Sequence, residues 1–176
     1  MVLEDGVRNL NHARRKAAAR LGVSDSRILP DQNEIEHEIL ARQRLFQPQT
    51  HREDLAALRR DALEAMRLLQ AFNPHLTGRG AGGSAGPHDA VELLLYTDTP
   101  ESVNWTLDAH GIPTVLGERR LRFGGEARAV VCPCYRFLAG ERQVELIVLP
   151  ERRLHQTPLC QGQPLPRLGF SKVQAY

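Results

Sequence analysis

Gly78-Arg79-Gly80-Ala81-Gly82-Gly83-Ser84-Ala85-Gly86-Pro87-His88-Asp89-Ala90-Val91-Glu92-Leu93-Leu94-Leu95-Tyr96-Thr97 is the stretch on which the fold turns. Five glycines fall within it, at 78, 80, 82, 83 and 86. Such a density marks a mobile loop or a place where backbone approaches a ligand. From Ala90 the period changes. Val91, Leu93 and Leu95 alternate with Glu92, Leu94 and Tyr96, as in a mostly buried strand.

Upstream, the pattern is helical. The clearest helix is expected over Thr50–Phe72, with Thr50 and Glu53 as a capping box and Leu55, Leu58, Ala62, Ala65, Leu69 and Phe72 as a buried stripe. Asn73-Pro74 ends it. Arg14-Arg15-Lys16-Ala17-Ala18-Ala19-Arg20 reads as an earlier helix stopped by Gly22, and Pro30-Asp31 opens another with Glu34 in capping position. Downstream, Pro100–His110 reads as a helix. Three β segments follow at roughly 114–123, 127–138 and 143–149, joined by turns at Gly124-Gly125 and Ala139-Gly140. The tail from Pro150 holds four prolines and little periodicity, so it is expected to wrap the surface. These elements predict an α+β fold: residues 1–48 a helical N-terminal extension, 49–150 a domain with a mixed β-sheet flanked by helices, and 151–176 a Pro-rich tail packed on that domain.

A glycine loop running into a carboxylate-bearing strand resembles the polymerase-β-type nucleotidyltransferases. In that superfamily a Gly-Ser opens the loop, a second glycine follows, and two aspartates alternate on the next strand so that both reach one pair of metal ions. With Gly78 as the first glycine, Gly83 falls at the second and Glu92 at the second carboxylate. Glu145, in Gln143-Val144-Glu145-Leu146-Ile147-Val148, matches the third carboxylate of a neighbouring strand. The wider layout is similar to small bacterial proteins of the superfamily, through Leu63–Phe72, Asp98–Pro113, Arg136-Phe137-Leu138-Ala139-Gly140 and the tail.

The resemblance implies a nucleotidyltransferase-like sheet, with Gly78, Arg79 and Gly83 against a nucleoside triphosphate and Glu92 and Glu145 on Mg²⁺. It also implies that Ala90–Thr97 and Gln143–Leu149 lie in one sheet with both glutamates on one face. Two departures point to impaired catalysis. Arg79 stands in the place of the loop serine. Ala90 stands in the place of the first carboxylate, with Asp89 one residue early and on the opposite face. Mg²⁺ demands near-ideal octahedral oxygen geometry, so two glutamates alone make a poor site.

Composition bounds the partners. Hydrophobic residues at 41% and charged residues at 25% suit a globular chain, and a formal net charge of +2 is too small by itself to argue for nucleic acid. The acidic start Met1-Val2-Leu3-Glu4-Asp5 is followed by no long apolar run, which reads as neither a signal peptide nor a membrane anchor. Three cysteines fit reduced thiols, so a cytoplasmic location is expected. Cys132-Pro133-Cys134 is short of ligands for zinc, and a Cys134 dyad with His88 or His110 is not required by any spacing. Arg8, Arg14, Arg15, Lys16 and Arg20 read as a solvated helix face.

Three functions stay open from the residues. The first is a nucleotidyltransferase-like protein that binds a nucleotide, nucleic acid or partner protein without turnover. The second is an active Mg²⁺-dependent enzyme moving a nucleoside monophosphate from a nucleoside triphosphate to an acceptor. The third is an interaction module for a protein partner or for its own homo-oligomer.

Overall fold

The computed structural model describes residues 48–176 apart from 125, 127 and 161, together with isolated positions 19, 30, 34, 35 and 38. The two N-terminal helices, the basic segment and almost all of the proposed extension therefore lie outside the described residues. Among the described residues no helix is long and apolar enough to cross a membrane.

Helix α1 is described over Pro48–Leu68. Thr50 lies inside this helix and is not its N-cap. The helix ends before Phe72. A 3₁₀ turn over Gln70–Phe72 follows, and Asn73 leaves it at φ 48, the left-handed conformation that asparagine tolerates. Leu58, Ala62 and Met66 are fully buried on the helix's inner face, Leu69 is fully buried just past its end, and Leu55 and Phe72 are partly buried against the same core.

The chain then lays down β1 (His75–Leu76), α2 (Gly78–Gly82), β2 (Val91–Tyr96), α3 (Glu101–Ala109), β3 (Val115–Phe123), β4 (Val130–Ala139) and β5 (Arg142–Leu149). The tail does more than wrap the surface. After a 3₁₀ turn at Glu151–Arg153 it adds β6 (Pro158–Cys160), β7 (Gln163–Pro164), β8 (Leu168–Gly169) and α4 (Phe170–Gln174). Strands of two or three residues are too short to show a period, which is why the sequence hid them.

The fold is α+β, with one eight-stranded mixed sheet in the order β7-β6-β3-β4-β5-β2-β1-β8. Only β2 and β5 run parallel, and they lie at its centre. Central strands are buried on both faces, and β5 is buried without a break from Val144 to Leu149. On one face Val91, Leu93 and Leu95 of β2 join Val144, Leu146 and Val148 of β5 under α1 and α3. At about 1.5–3 kcal/mol for each large apolar side chain removed from water, this layer is the main source of stability. On the other face Leu94, Tyr96, Ile147, Leu149, Leu121, Phe123, Cys132 and Cys134 form a second cluster, covered by Leu154 and Leu165 of the tail.

The tail is also pinned by polar contacts. Thr77 Oγ1 donates to Pro166 O (2.7 Å), and Arg167 Nη1 donates to Leu154 O (2.8 Å) and Tyr96 Oη (3.1 Å).

Candidate functional site

Alternation along β2 sends Glu92 to the same face as Leu94 and Tyr96, and alternation along β5 sends Glu145 to the same face as Ile147 and Leu149. The parallel register sets the two opposite each other, Glu92 against Glu145. The expected juxtaposition of the carboxylates on one face of one sheet is therefore present. They sit where the second core cluster ends and the cover of the tail stops.

Neither carboxylate stands free. Arg119, from β3, donates through Nη2 to Glu92 Oε2 at 2.9 Å and brings Nε to 3.7 Å from Glu145 Oε1. Arg136, from β4, donates through Nε and Nη2 to the same Glu145 oxygen, at 3.1 and 2.9 Å. The Cys134 thiol donates to it as well, at 3.0 Å. Two glutamates and two arginines thus make a charge-balanced cluster on a half-covered sheet face.

Electrostatics separate the two carboxyls. Burial pushes Glu92 above the ordinary carboxylate range, and the Arg119 guanidinium is the largest influence drawing it back. Burial alone would raise Glu145 too. The thiol of Cys134, followed by Arg119 and Arg136, outweighs burial and holds Glu145 below that range.

The glycine loop closes over this cluster. Gly78 has φ +60, and a Cβ there would collide with the Glu92 carboxyl, so backbone lies directly against the glutamate. The segment is not the open loop suggested by its glycines, because Gly78–Gly82 forms one helical turn. Close packing explains the turn: a Cβ on Gly80 would meet Leu58 Cδ2 at 2.6 Å, so only glycine lets α2 approach α1 this closely. Gly83 caps the turn at φ +80, and its carbonyl lies 3.0 Å from His51 Nε2.

Arg79 is a staple of this loop. Its Nη1 donates to Asp89 Oδ1 (2.9 Å) and its Nη2 to Ser84 O (2.8 Å), while Asp89 Oδ2 accepts from the Gly86 amide (2.7 Å). Arg142 Nη1 holds the Asp89 carbonyl at 2.9 Å, and Arg142 Nε is paired with Asp61 of α1 at 2.6 Å. The acidic group next to Ala90 thus makes its hydrogen bonds to the loop, while its charge adds to the upward push on Glu92.

Of the residues singled out from the sequence, Gly78, Glu92 and Glu145 come together. Arg79 and Gly83 shape the loop beside them. Arg119 and Arg136 were missed, yet a signal was available. Arg136 alternates with Cys134 among apolar strand residues, and Gly117 interrupts β3. A strand glycine marks close approach, and here a Cβ on Gly117 would lie 2.9 Å from Arg136 Nη1.

Cys132 and Cys134 point into the second core cluster, and Cys134 finds a carboxylate there, while His88 and His110 are exposed.

The donor set does not match a metal site as it stands. Position 90 contributes no carboxylate, and guanidinium nitrogens already lie against Glu92 and Glu145. No family model matches this chain, and no curated protein does.

Proposed function

We propose that this chain is a nucleotidyltransferase-like protein that binds a nucleotide without turning it over, its metal positions taken by Arg119 and Arg136. The observation that carries the reading is the bridging of Glu92 and Glu145 by Arg119. A guanidinium is a permanent cation with five fork-arranged donors, so it balances two carboxylates where a dication would otherwise be required. It cannot polarise a phosphoryl oxygen or activate a hydroxyl as a Lewis acid does. Catalysis by the metal route is lost while charge balance is kept.

Phosphate recognition is the property such a site retains. The Nη1 groups of Arg119 and Arg136 make no hydrogen bond among the described residues, and both side chains keep more than a third of their surface exposed (39% and 36%). They leave donors for anionic oxygens at the open end of the sheet face. The parallel β2–β5 pair and the glycine turn against Glu92 support the superfamily resemblance.

The test is a thermal-shift series with nucleoside triphosphates, with and without Mg²⁺, because a ligand bound only by the native state raises its melting temperature. Metal-independent stabilisation that Arg119→Ala abolishes supports the proposal. Stabilisation that requires Mg²⁺ and is abolished by Glu92→Gln replaces it with the active-enzyme reading. No shift with any nucleotide leaves the interaction-module reading.

A further inference from the structure

Toward the open end of the sheet face, one row of side chains runs Val115, Arg136, Glu145 and Glu92 across β3, β4, β5 and β2. Arg136 is fixed within that row, because Nε and Nη2 both donate to one oxygen of Glu145 and so hold the guanidinium from turning. Its plane rests on Gly117. From the place of a Cβ on that glycine, Nη1 lies at 2.9 Å, Cζ at 3.4 Å and Nη2 at 3.7 Å. An edge-on approach through Nη1 would set Cζ a further bond length away, ~1.3 Å, so the guanidinium lies face-down on the strand. Only the lack of a side chain at position 117 permits it.

One face of a planar cation is thus covered and the other is turned outward, with 36% of the side chain exposed. Two aliphatic side chains frame it. Val115 stands directly opposite Arg136 on β3, and Leu138 lies two residues further along β4 on the same face. They are 67% and 70% exposed. We propose that this platform is the base seat of the nucleotide site: a purine stacks on the outer face of Arg136, with Val115 and Leu138 against its edges, and its phosphates run toward Arg119. The inference rests on the nucleotide reading above and places the end of the ligand which that reading left unplaced.

A guanidinium stacks on π systems, and one already immobilised by a carboxylate loses little further freedom in doing so. The aliphatics add apolar contact around the ring. Charge sets the direction of the ligand. Arg119 leaves the same face of β3 two residues beyond Gly117 and reaches to Glu92 and Glu145, so cationic donors lie inward of Gly117 and apolar surface lies outward. The triphosphate belongs with the donors and the ring with the aliphatics. An aromatic side chain of a partner protein would also fit the platform, but it would leave the Nη1 donors of both arginines unanswered, whereas a nucleotide answers both. A guanidinium face between two aliphatics discriminates by stacking area, so purines are favoured over pyrimidines, and adenine and guanine equally.

Titration calorimetry on the full chain in EDTA compares ATP, GTP, UTP and inorganic tripolyphosphate, which carries the phosphates without a base. ATP and GTP should bind alike, each about tenfold more tightly than tripolyphosphate, with UTP between. Val115→Ser and Leu138→Ser, both at exposed positions, should each narrow the ratio of ATP to tripolyphosphate affinity. Arg136→Lys, which keeps the charge and loses the plane, should bring that ratio near one. Circular dichroism confirms that each variant is folded, and Leu138→Ser carries the test if Arg136→Lys is not. Equal affinity for ATP and tripolyphosphate overturns the base seat and leaves phosphate recognition standing. A preference for ATP that all three variants leave intact also overturns it, since the base then rests elsewhere. No binding of any of the four anions overturns the nucleotide reading and the base seat with it, leaving the platform to an aromatic side chain of a partner protein.

Discussion

Replacing Arg119 with alanine should cost the fold about 1–3 kcal/mol, and the loss should depend on pH. Removing one partner of a fully buried pair costs about 3–5 kcal/mol, whereas an exposed pair is worth about 0–1. Arg119 lies between these limits: its side chain is 39% exposed, while those of Glu92 and Glu145 are 22% and 10% exposed. Water screens the arginine end, and the carboxylates bear the loss.

In the unmodified chain the two carboxyls work in opposite directions. Glu92, raised by burial, contributes stability that is present below its unfolded pKa and lost as pH rises through its folded value. Glu145 is lowered because its hydrogen bonds and arginine neighbours outweigh the upward push of burial. Its contribution is present above its unfolded pKa and lost as pH falls through its folded value. Deleting Arg119 removes a downward influence from both. The folded variant then holds protons more tightly than the unmodified protein. Its deficit should be larger at about pH 8 than at about pH 5, because the folded variant gains more from proton uptake as pH falls. Urea unfolding followed by circular dichroism at both pH values measures this. An equal deficit at the two, or one below ~0.5 kcal/mol, would show that Arg119 is an ordinary surface cation and would refute the bridging role.

Leu58→Ala should cost about 2–5 kcal/mol in the same urea assay, because Leu58 is fully buried on α1 against the Gly80 turn; a loss under ~1 would place that face outside the core. Ala90→Asp combined with Arg119→Gln should create Mg²⁺-dependent triphosphate binding detectable by calorimetry, since it supplies the absent carboxylate and removes the competing guanidinium; no gain over the unmodified chain would count against the superfamily reading. Arg79 is left intact in that design because it ties the loop to Asp89 and Ser84. In a Cys160→Ser background the native protein should resist alkylation at about pH 8, because burial lifts the Cys132 thiol to about 11 and the Cys134 thiol higher still, while only the thiolate is nucleophilic. Rapid labelling without denaturant would contradict the burial of both side chains.

The strands and helices were legible wherever their pattern is local. The period-two run of β2, the apolar run of β5 and the stripe through Leu58, Ala62 and Leu69 depend only on side chains a few residues apart, and each appears within a few residues of its expected place. The face of each glutamate was legible for the same reason, whereas their pairing was expected only through the resemblance. Thr50 lies inside α1 and is not its N-cap, so the local capping-box pattern did not mark the boundary there.

What the sequence by itself determined is which residues alternate and which therefore share a face: Glu92 with Leu94 and Tyr96, Glu145 with Ile147 and Leu149. Strand order, and with it the neighbour of each carboxylate, was decided only by the tertiary structure. Arg119 lies 27 residues from Glu92 along the chain, and no local period links them. Antiparallel packing of β3, β4 and β5 carries Arg119 and Arg136 across the sheet face to the glutamates. Burying two carboxylates in a half-apolar layer demands a counter-charge, and the register of those strands decides that arginine supplies it.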